Sequence, residues 1–184
     1  MKIINYLRAK FRKFINEEYW LKDYQKMGLK VGRDCKINPG LVIDHSHCWL
    51  IEIGNKVTIA PHVYLLAHDA SPHDYLGYSR IGKVVIKDGS FIGARALIMP
   101  GVTVGESAVV AAGSIVTKSV EKGMVVAGNP AKAICTVEEL LGKHRKAMET
   151  ARIYDESWLI QNGITDEMKK QMSEDLEGKF GYLA

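Results

Sequence analysis

The sequence predicts a mainly β fold in which short strands and corners wind into a coil of three faces. Aliphatic residues recur at every sixth position over more than half of the chain, and the residue after each of them is often small. A compact or β-branched residue stands four positions after most of them. A period of six fits neither an α-helix nor a plain amphipathic strand. It fits a short strand followed by a corner, repeated many times.

Two interruptions divide this repeat. Four extra residues separate Ile43 from Ile53, and a longer break separates Leu65 from Ile86. Three faces make a coil of about eighteen residues, so twelve faces predict about four coils, each burying its aliphatic side chains only by stacking on its neighbours. The twelve repeat positions are Val31, Ile37, Ile43, Ile53, Ile59, Leu65, Ile86, Ile92, Ile98, Val104, Val110 and Val116.

The two ends of the chain have helical patterns. Residues 1–28 are predicted to form an N-terminal helical cap, residues 29–135 the coil with a loop at 69–83, and residues 136–184 a C-terminal helical extension. In the extension, Thr136 with Glu139 resembles a capping box, Gly163 ends a middle piece, and Thr165 is placed to cap the last helix. The N-terminal helix is basic and amphipathic, so contact with a membrane surface is an alternative to simple capping.

Composition excludes several classes of protein. The formal charge of +4 suits an anionic cofactor without requiring nucleic acid. No apolar run reaches the length of a membrane span, and the N-terminus lacks the pattern of a signal peptide. The cysteines Cys35, Cys48 and Cys135 are odd in number and have no metal-like spacing. We therefore expect a cytoplasmic protein with reduced thiols, no bound metal and no nucleic-acid partner.

Three segments of the repeat resemble a known family: "IEIGNKVTIAPHV", "VVIKDGSFIGARALIMPGVTVGESAVVAAGSIVTKSV" and "VVAGNPAKAI". They are similar to the hexapeptide-repeat acyltransferases, in the branch of maltose and galactoside O-acetyltransferases and of polysaccharide-type acetyltransferases. The resemblance covers residues 30–135. It implies a left-handed parallel β-helix, acetyl-CoA as co-substrate, and a homotrimer whose active sites lie between subunits. It also implies that the segment "ASPHDYLGYSRIG" is an extruded loop that walls in the site.

The resemblance places the general base at His68, the histidine just before the loop. An imidazole titrates near neutrality, so it can take the proton of an acceptor group as that group attacks a thioester. Asp69 or Asp74 could orient this imidazole. His73, inside the loop, is interpreted as an acceptor-facing residue and is the alternative base.

Acceptor and cofactor contacts follow from the same resemblance. Asp44, His47, Asp69 and His73 are the predicted acceptor-binding residues. Phe91, Ala94 and Ala112 match positions along the coenzyme A arm, where small side chains let the ligand reach the backbone. Thr117 and Lys118 match positions that contact the half of coenzyme A far from its thiol. Lys132 matches a basic position near the phosphates of the cofactor. Cys135 stands where the galactoside type has a second arginine.

The predicted activity is therefore acetyl transfer from acetyl-CoA to a hydroxyl or amine of a sugar or polysaccharide precursor. Three alternatives remain open. One is the same transfer to a non-sugar acceptor such as serine or an antibiotic. Another is a γ-type carbonic anhydrase, because His68 and His73 have the spacing of two zinc ligands in that group. The third is a scaffold without catalysis, since a fold alone does not fix a function.

Overall fold

The structure, a computed structural model, describes residues 20–184 and is mainly β, with parallel strands and flanking helices. Helix α1 is Leu21–Lys26 and a 3₁₀ helix is His45–Leu50. The strands up to the end of the repeat are β1 Lys30–Val31, β2 Lys36–Ile37, β3 Val42–Ile43, β4 Ile51–Ile53, β5 Thr58–Ile59, β6 Tyr64–Leu65, β7 His68–Asp69, β8 Arg80–Ile81, β9 Val84–Ile86, β10 Phe91–Ile92, β11 Leu97–Ile98, β12 Thr103–Val104, β13 Val109–Val110 and β14 Ile115–Val116.

The remaining elements follow in chain order. Helix α2, His73–Leu76, lies between β7 and β8. The later elements are β15 Met124–Gly128, β16 Ala131–Thr136, α3 Val137–Met148, β17 Arg152–Tyr154, the 3₁₀ turns Glu156–Trp158 and Ile160–Asn162, α4 Asp166–Asp175 and β18 Gly181–Leu183. The chain divides into two compact units, one ending at Val137 and the other running from Glu138 to Ala184.

All twelve repeat positions are the last residue of a strand, and these strands enter three parallel sheets in strict rotation. The first sheet has the order β1-β4-β9-β12, and the third has the order β3-β6-β11-β14. The second sheet holds β2, β5, β10 and β13 and is extended by the hairpin of β15 and β16. Four coils of three strands result, as the spacing predicts. Ten of the twelve aliphatics are buried, and Val31 and Ile37, in the first coil, are partly buried.

Parallel pairing keeps equivalent residues of successive coils in register. Leu65 pairs with Ile98, which pairs with Val116. The backbone N–H of Leu66 donates to Ile98, and that of Met99 donates to Val116. Residues that follow the third-sheet strands therefore form one corner of the coil, which we call the third corner. Those that follow the second-sheet strands form the second corner.

The loop predicted at 69–83 is an ordered excursion. Strands β7 and β8 pair antiparallel, with His68 opposite Ile81, and α2 forms the tip. The backbone N–H of Gly82 donates to Ala67, which returns the chain to the coil. The break in the repeat thus begins and ends at the third corner.

The second unit contains the predicted helices and also a feature that the sequence analysis did not predict. Strands β17 and β18 form a two-stranded parallel sheet. Thr165 caps α4 by accepting the N–H of Met168, and Gly163 ends the preceding 3₁₀ turn in a left-handed conformation. Most of the predicted N-terminal helix lies outside the described residues. Among the residues that are described, no helix is long and apolar enough to cross a membrane.

Candidate active site

His68 lies where β6 has ended and the excursion starts, at the third corner. Its side chain is about one-third exposed (35%). Its imidazole Nδ1 lies 2.5 Å from Oδ2 of Asp44, whose side chain is fully buried. Asp44 follows β3 at the same corner, one coil earlier, so the stacking of β3 on β6 brings the two residues together.

The Asp44 carboxylate accepts four hydrogen bonds. Oδ1 accepts the backbone N–H groups of Ser46 and His47, at 3.1 and 3.2 Å, which begins the 3₁₀ helix. Oδ2 accepts the N–H of Ala67 at 2.9 Å and faces His68. Four donors match the accepting capacity of an ionised carboxylate.

This environment fixes the charge of Asp44. Burial opposes ionisation, but the hydrogen bonds from His68 and Ala67 and the nearby imidazoles of His68 and His47 outweigh it. The pKa of Asp44 therefore lies below its usual value. A carboxylate can only accept, so the hydrogen on Nδ1 of His68 faces Asp44. Nε2 is then the ring nitrogen that can take part in proton transfer.

The insertion between β3 and β4 completes the cluster. The ring of His47 lies 5.1 Å from that of His68 and 5.4 Å from that of Trp49, measured between ring centroids. Trp49 is 53% exposed. The sequence analysis did not single out Trp49, and the only signal for it was its place two residues after His47 in the insertion. The result is a partly exposed aromatic surface next to the imidazole of His68.

Asp69 and His73 make local contacts within the loop. Asp69 accepts the backbone N–H of Ser71 at 2.9 Å. Asp74 lies in the first turn of α2, and His73 at its start faces the hydroxyl of Ser79 at 3.5 Å. Asp44, rather than Asp69 or Asp74, lies within hydrogen-bond distance of Nδ1 of His68. The group of potential metal ligands found in the described residues contains His68 with Asp44 and His47, and does not include His73.

The predicted cofactor residues fall into two groups. Thr117, Lys118 and Lys132 line one cavity of about 460 Å³ near the end of the repeat. Thr117 and Lys118 follow β14 at the third corner, two coils beyond the His68 turn, which corresponds to about 10 Å along the stack. Ala94 and Ala112 lie at the second corner, where the N–H of Gly113 donates to Ala94, and Phe91 is exposed on the strand before it.

Comparison with known proteins assigns the family. A family model described as the hexapeptide repeat of succinyl-transferase matches residues 83–118. A protein of Bacillus subtilis (strain 168) named as an acetyltransferase, YvoF, is 37% identical over 142 residues, which are 77% of this chain and 79% of that protein. A chloramphenicol acetyltransferase of Agrobacterium fabrum (strain C58) is 50% identical over 122 residues, 63% of this chain and 55% of that enzyme.

Two solved structures extend the comparison. The polySia-specific acetyltransferase NeuO is 32% identical with a TM-score of 0.51, over 58% of this chain and 47% of that chain. A galactoside acetyltransferase in complex with coenzyme A is 25% identical with a TM-score of 0.50, over 71% of this chain and 80% of that chain. The repeat and these relatives agree in assigning one family.

Proposed function

The chain belongs to the hexapeptide-repeat acyltransferases and is an acetyltransferase that uses acetyl-CoA, and from this premise we propose that it acetylates a saccharide acceptor with His68 as the general base. The observation that carries the proposal is the 2.5 Å contact between His68 and a buried, ionised Asp44. That contact leaves Nε2 of a partly exposed imidazole free to accept a proton.

The proposed fold is a left-handed parallel β-helix. Twelve strands in three parallel sheets, visited in rotation, support the coil. Left-handedness is a property of the matched family and an exception to the usual right-handed crossover.

In the proposed reaction, His68 Nε2 accepts the proton of an acceptor hydroxyl or amine as that group attacks the thioester carbon. A bond from the acceptor to the acetyl carbon forms, and the carbon–sulfur bond breaks. His68 then returns its proton to the departing thiolate of coenzyme A. Asp44 holds the imidazole in the required tautomer and stabilises its transient positive charge, which is the role of the carboxylate in a catalytic triad.

The two groups of cofactor residues support a homotrimer. They lie on opposite edges of the third sheet, whose outward side chains form an apolar row of Val42, Tyr64, Leu97 and Ile115 in register. If this row packs against another copy of the chain, rotational symmetry brings the second corner of one subunit towards the third corner of its neighbour. One coenzyme A would then contact both groups.

Replacement of Leu97 by Glu tests the assembly. We expect the variant to sediment as a smaller species and to lose activity, because a charge would stand in the middle of an apolar interface. Replacement of Thr103 by Glu, which faces outward from the first sheet, is the matched control. Equal oligomeric states in the two variants would place the interface elsewhere.

A saccharide acceptor is supported by the relatives that act on saccharides and by the local surface. NeuO is named as polySia-specific, and the structure with coenzyme A is a galactoside enzyme. The exposed ring of Trp49 beside His47 offers an apolar face with polar neighbours, as a pyranose requires. A second candidate is an antibiotic acceptor, because the chloramphenicol acetyltransferase shares 50% identity with the chain.

The test is a panel of acceptors with acetyl-CoA, in which the acetylated product is measured by mass spectrometry. The panel contains free sugars, nucleotide sugars, oligosaccharides, chloramphenicol and serine. We expect turnover of a saccharide and a loss of kcat of about 10²–10⁴-fold in His68→Ala. His62→Asn is the control, because His62 lies at an exposed corner with a left-handed backbone that Asn tolerates.

The proposed acceptor class and the proposed base can each be contradicted by a separate result. Turnover of chloramphenicol or serine without turnover of any saccharide would assign the second class of acceptor. Full activity of His68→Ala on the best acceptor would show that His68 is not the base.

A further inference from the structure

Asp44, His47 and His68 form a compact group of potential metal ligands. Each residue offers one oxygen or nitrogen atom, and these atoms all lie within 4.8 Å of one another. Two imidazoles and one carboxylate are a donor set that Zn²⁺ and neighbouring transition metals bind. The two imidazoles are partly exposed, so an ion can reach the group from solvent.

His47 supplies a second and independent observation. Its Nδ1 is buried, and it has no hydrogen-bond partner among residues 20–184. Oδ1 of Asp44 lies 3.8 Å from this nitrogen, which is too far for a hydrogen bond. A buried nitrogen that lacks a partner is costly. A cation bound to this nitrogen would give it a partner, and the adjacent carboxylate would balance the positive charge.

The three ligand atoms, all within 4.8 Å of one another, must adjust their positions to hold a small ion. Zinc bonds to imidazole nitrogen and carboxylate oxygen are about 2.0–2.2 Å, so two ligands of a tetrahedral site lie about 3.3–3.5 Å apart. Nδ1 of His47 lies 3.8 Å from Oδ1 of Asp44 and must move closer to the carboxylate. Nδ1 of His68 lies 2.5 Å from Oδ2 of Asp44 and must move away from it. Backbone N–H groups of Ser46, His47 and Ala67 hold the carboxylate in place, as outer partners commonly hold metal ligands.

We propose that Asp44, His47 and His68 bind a divalent transition-metal ion of the zinc class, and that the bound ion inhibits acetyl transfer. The inhibition rests on the proposed role of His68, whereas the binding does not. A metal on Nδ1 of His68 takes the place of the proton donated to Asp44. The neutral imidazole then carries its one proton on Nε2, so the number of protons is unchanged but the basic lone pair is lost. Metal binding and base catalysis exclude each other.

Binding is tested with the metal alone. Zn²⁺ titration by calorimetry is expected to give one equivalent per chain. Co²⁺ is expected to give a d–d absorption spectrum without a thiolate charge-transfer band, since the site contains no cysteine. His47→Gln and Asp44→Asn should weaken the affinity about 10–100-fold or more. His62→Asn, which removes an imidazole at an exposed corner, should bind as the wild type does.

Inhibition is tested by following the acetylated product by mass spectrometry, because zinc would interfere with any thiol reagent. One equivalent of Zn²⁺ is expected to suppress the wild-type rate about 10²-fold or more, as loss of a general base does. A chelator should restore the rate. Whatever rate His47→Gln retains should no longer respond to the same zinc concentration.

The outcomes separate the proposals. Equal zinc affinity in the wild type, His47→Gln and Asp44→Asn would overturn the site. Activation of transfer by zinc would overturn its inhibitory role. Full activity of His68→Ala would show that His68 is not the base, and the reason for inhibition would then be lost. Metal binding measured in the wild type would still establish the metal site.

Discussion

The regular stack and the two segments that depart from it provide hydrogen-bond partners for their backbone groups in different ways. In the stack, from Val84 to Val126, each coil places aliphatic side chains at the axis and pairs its backbone with the coils on either side. In the departures, at His45–Leu50 and 68–83, the chain leaves these ladders. One buried carboxylate, Asp44, then replaces the ladder by accepting the backbone N–H groups of Ser46 and His47, in the first departure, and of Ala67, which immediately precedes the second.

The buried polar residues of the stack and of the departures differ in the groups that they bind. Within the described residues they are Asp44, Ser90 and Ser114. The hydroxyl of Ser90 lies within hydrogen-bond distance of the carbonyls of Lys87 and Gly105, to which its one hydrogen can be donated, and the hydroxyl of Ser114 accepts the N–H of Gly128. Both serines therefore serve only the backbone. Asp44 serves the backbone too, but it also holds a partly exposed imidazole. The stack is rigid, and the departures that begin from it therefore hold the imidazole of His68 in a defined position.

The largest expected effect on stability belongs to the stack. Ile98→Ala should lower the free energy of unfolding by about 2–5 kcal/mol, because a fully buried side chain leaves a cavity. Ile81→Ala, in the excursion, removes the same side chain where it is 59% exposed and should cost less than about 0.5 kcal/mol. Chemical denaturation measures both. A similar cost for the two changes would show that the excursion is packed as tightly as the stack.

The next effect concerns catalysis in the departures. Asp44→Asn should reduce kcat about 10²-fold or more, because an amide can no longer hold the Nδ1–H tautomer of His68. Its unfolding free energy should also fall by about 1–3 kcal/mol, since one backbone donor loses its acceptor. Steady-state kinetics and denaturation provide the two readouts. Asp69→Asn is the matched carboxylate, and a comparable loss of kcat there would return the orienting role to Asp69.

A glycine of the stack provides a smaller effect. A Cβ on Gly93 would lie 2.4 Å from the backbone nitrogen of Ala112, one coil away, so the coils would have to separate. Gly93→Ala should destabilise the protein by about 1–3 kcal/mol. The control is Gly142→Ala in helix α3, where no atom lies within 4 Å. Helix propensity predicts a gain of up to about 1 kcal/mol there. The two melting temperatures should shift in opposite directions.

The smallest effect is a pH dependence within the stack. The exposed carboxylate of Asp88 accepts the backbone and side-chain N–H groups of Asn55, which hold the pKa of Asp88 below its usual value. A lowered folded pKa gives stability that is complete above the unfolded value and is lost as the pH falls through the folded one. The melting-temperature difference between wild type and Asp88→Asn should therefore be present at neutral pH and vanish in acid. A difference that persists in acid would assign the effect to shape rather than to charge.

Much of the fold could be predicted because burial in a stacked coil leaves a direct trace in the sequence. The period of six identified the number of coils and twelve aliphatic positions that point to the axis, of which ten are buried and two partly buried. The parallel pair of β17 and β18 was not predicted, because strands of three residues carry no usable periodicity. The site was predicted in part. His68 was selected as the base, and the residue that orients it was left open, with Asp69 and Asp74 considered because they are close to it in sequence.

Asp44 shows why the rest could not be predicted. It stands 24 residues before His68, beyond an insertion and a full coil, and nothing in its local sequence indicates a partner there. The sequence by itself determined the repeat, the break in it and the family, because each depends on the types and spacing of nearby residues. Only the tertiary structure decided that Asp44 meets His68 and that His47 and Trp49 lie beside them. Those contacts depend on the register between coils, which brings distant residues to one corner.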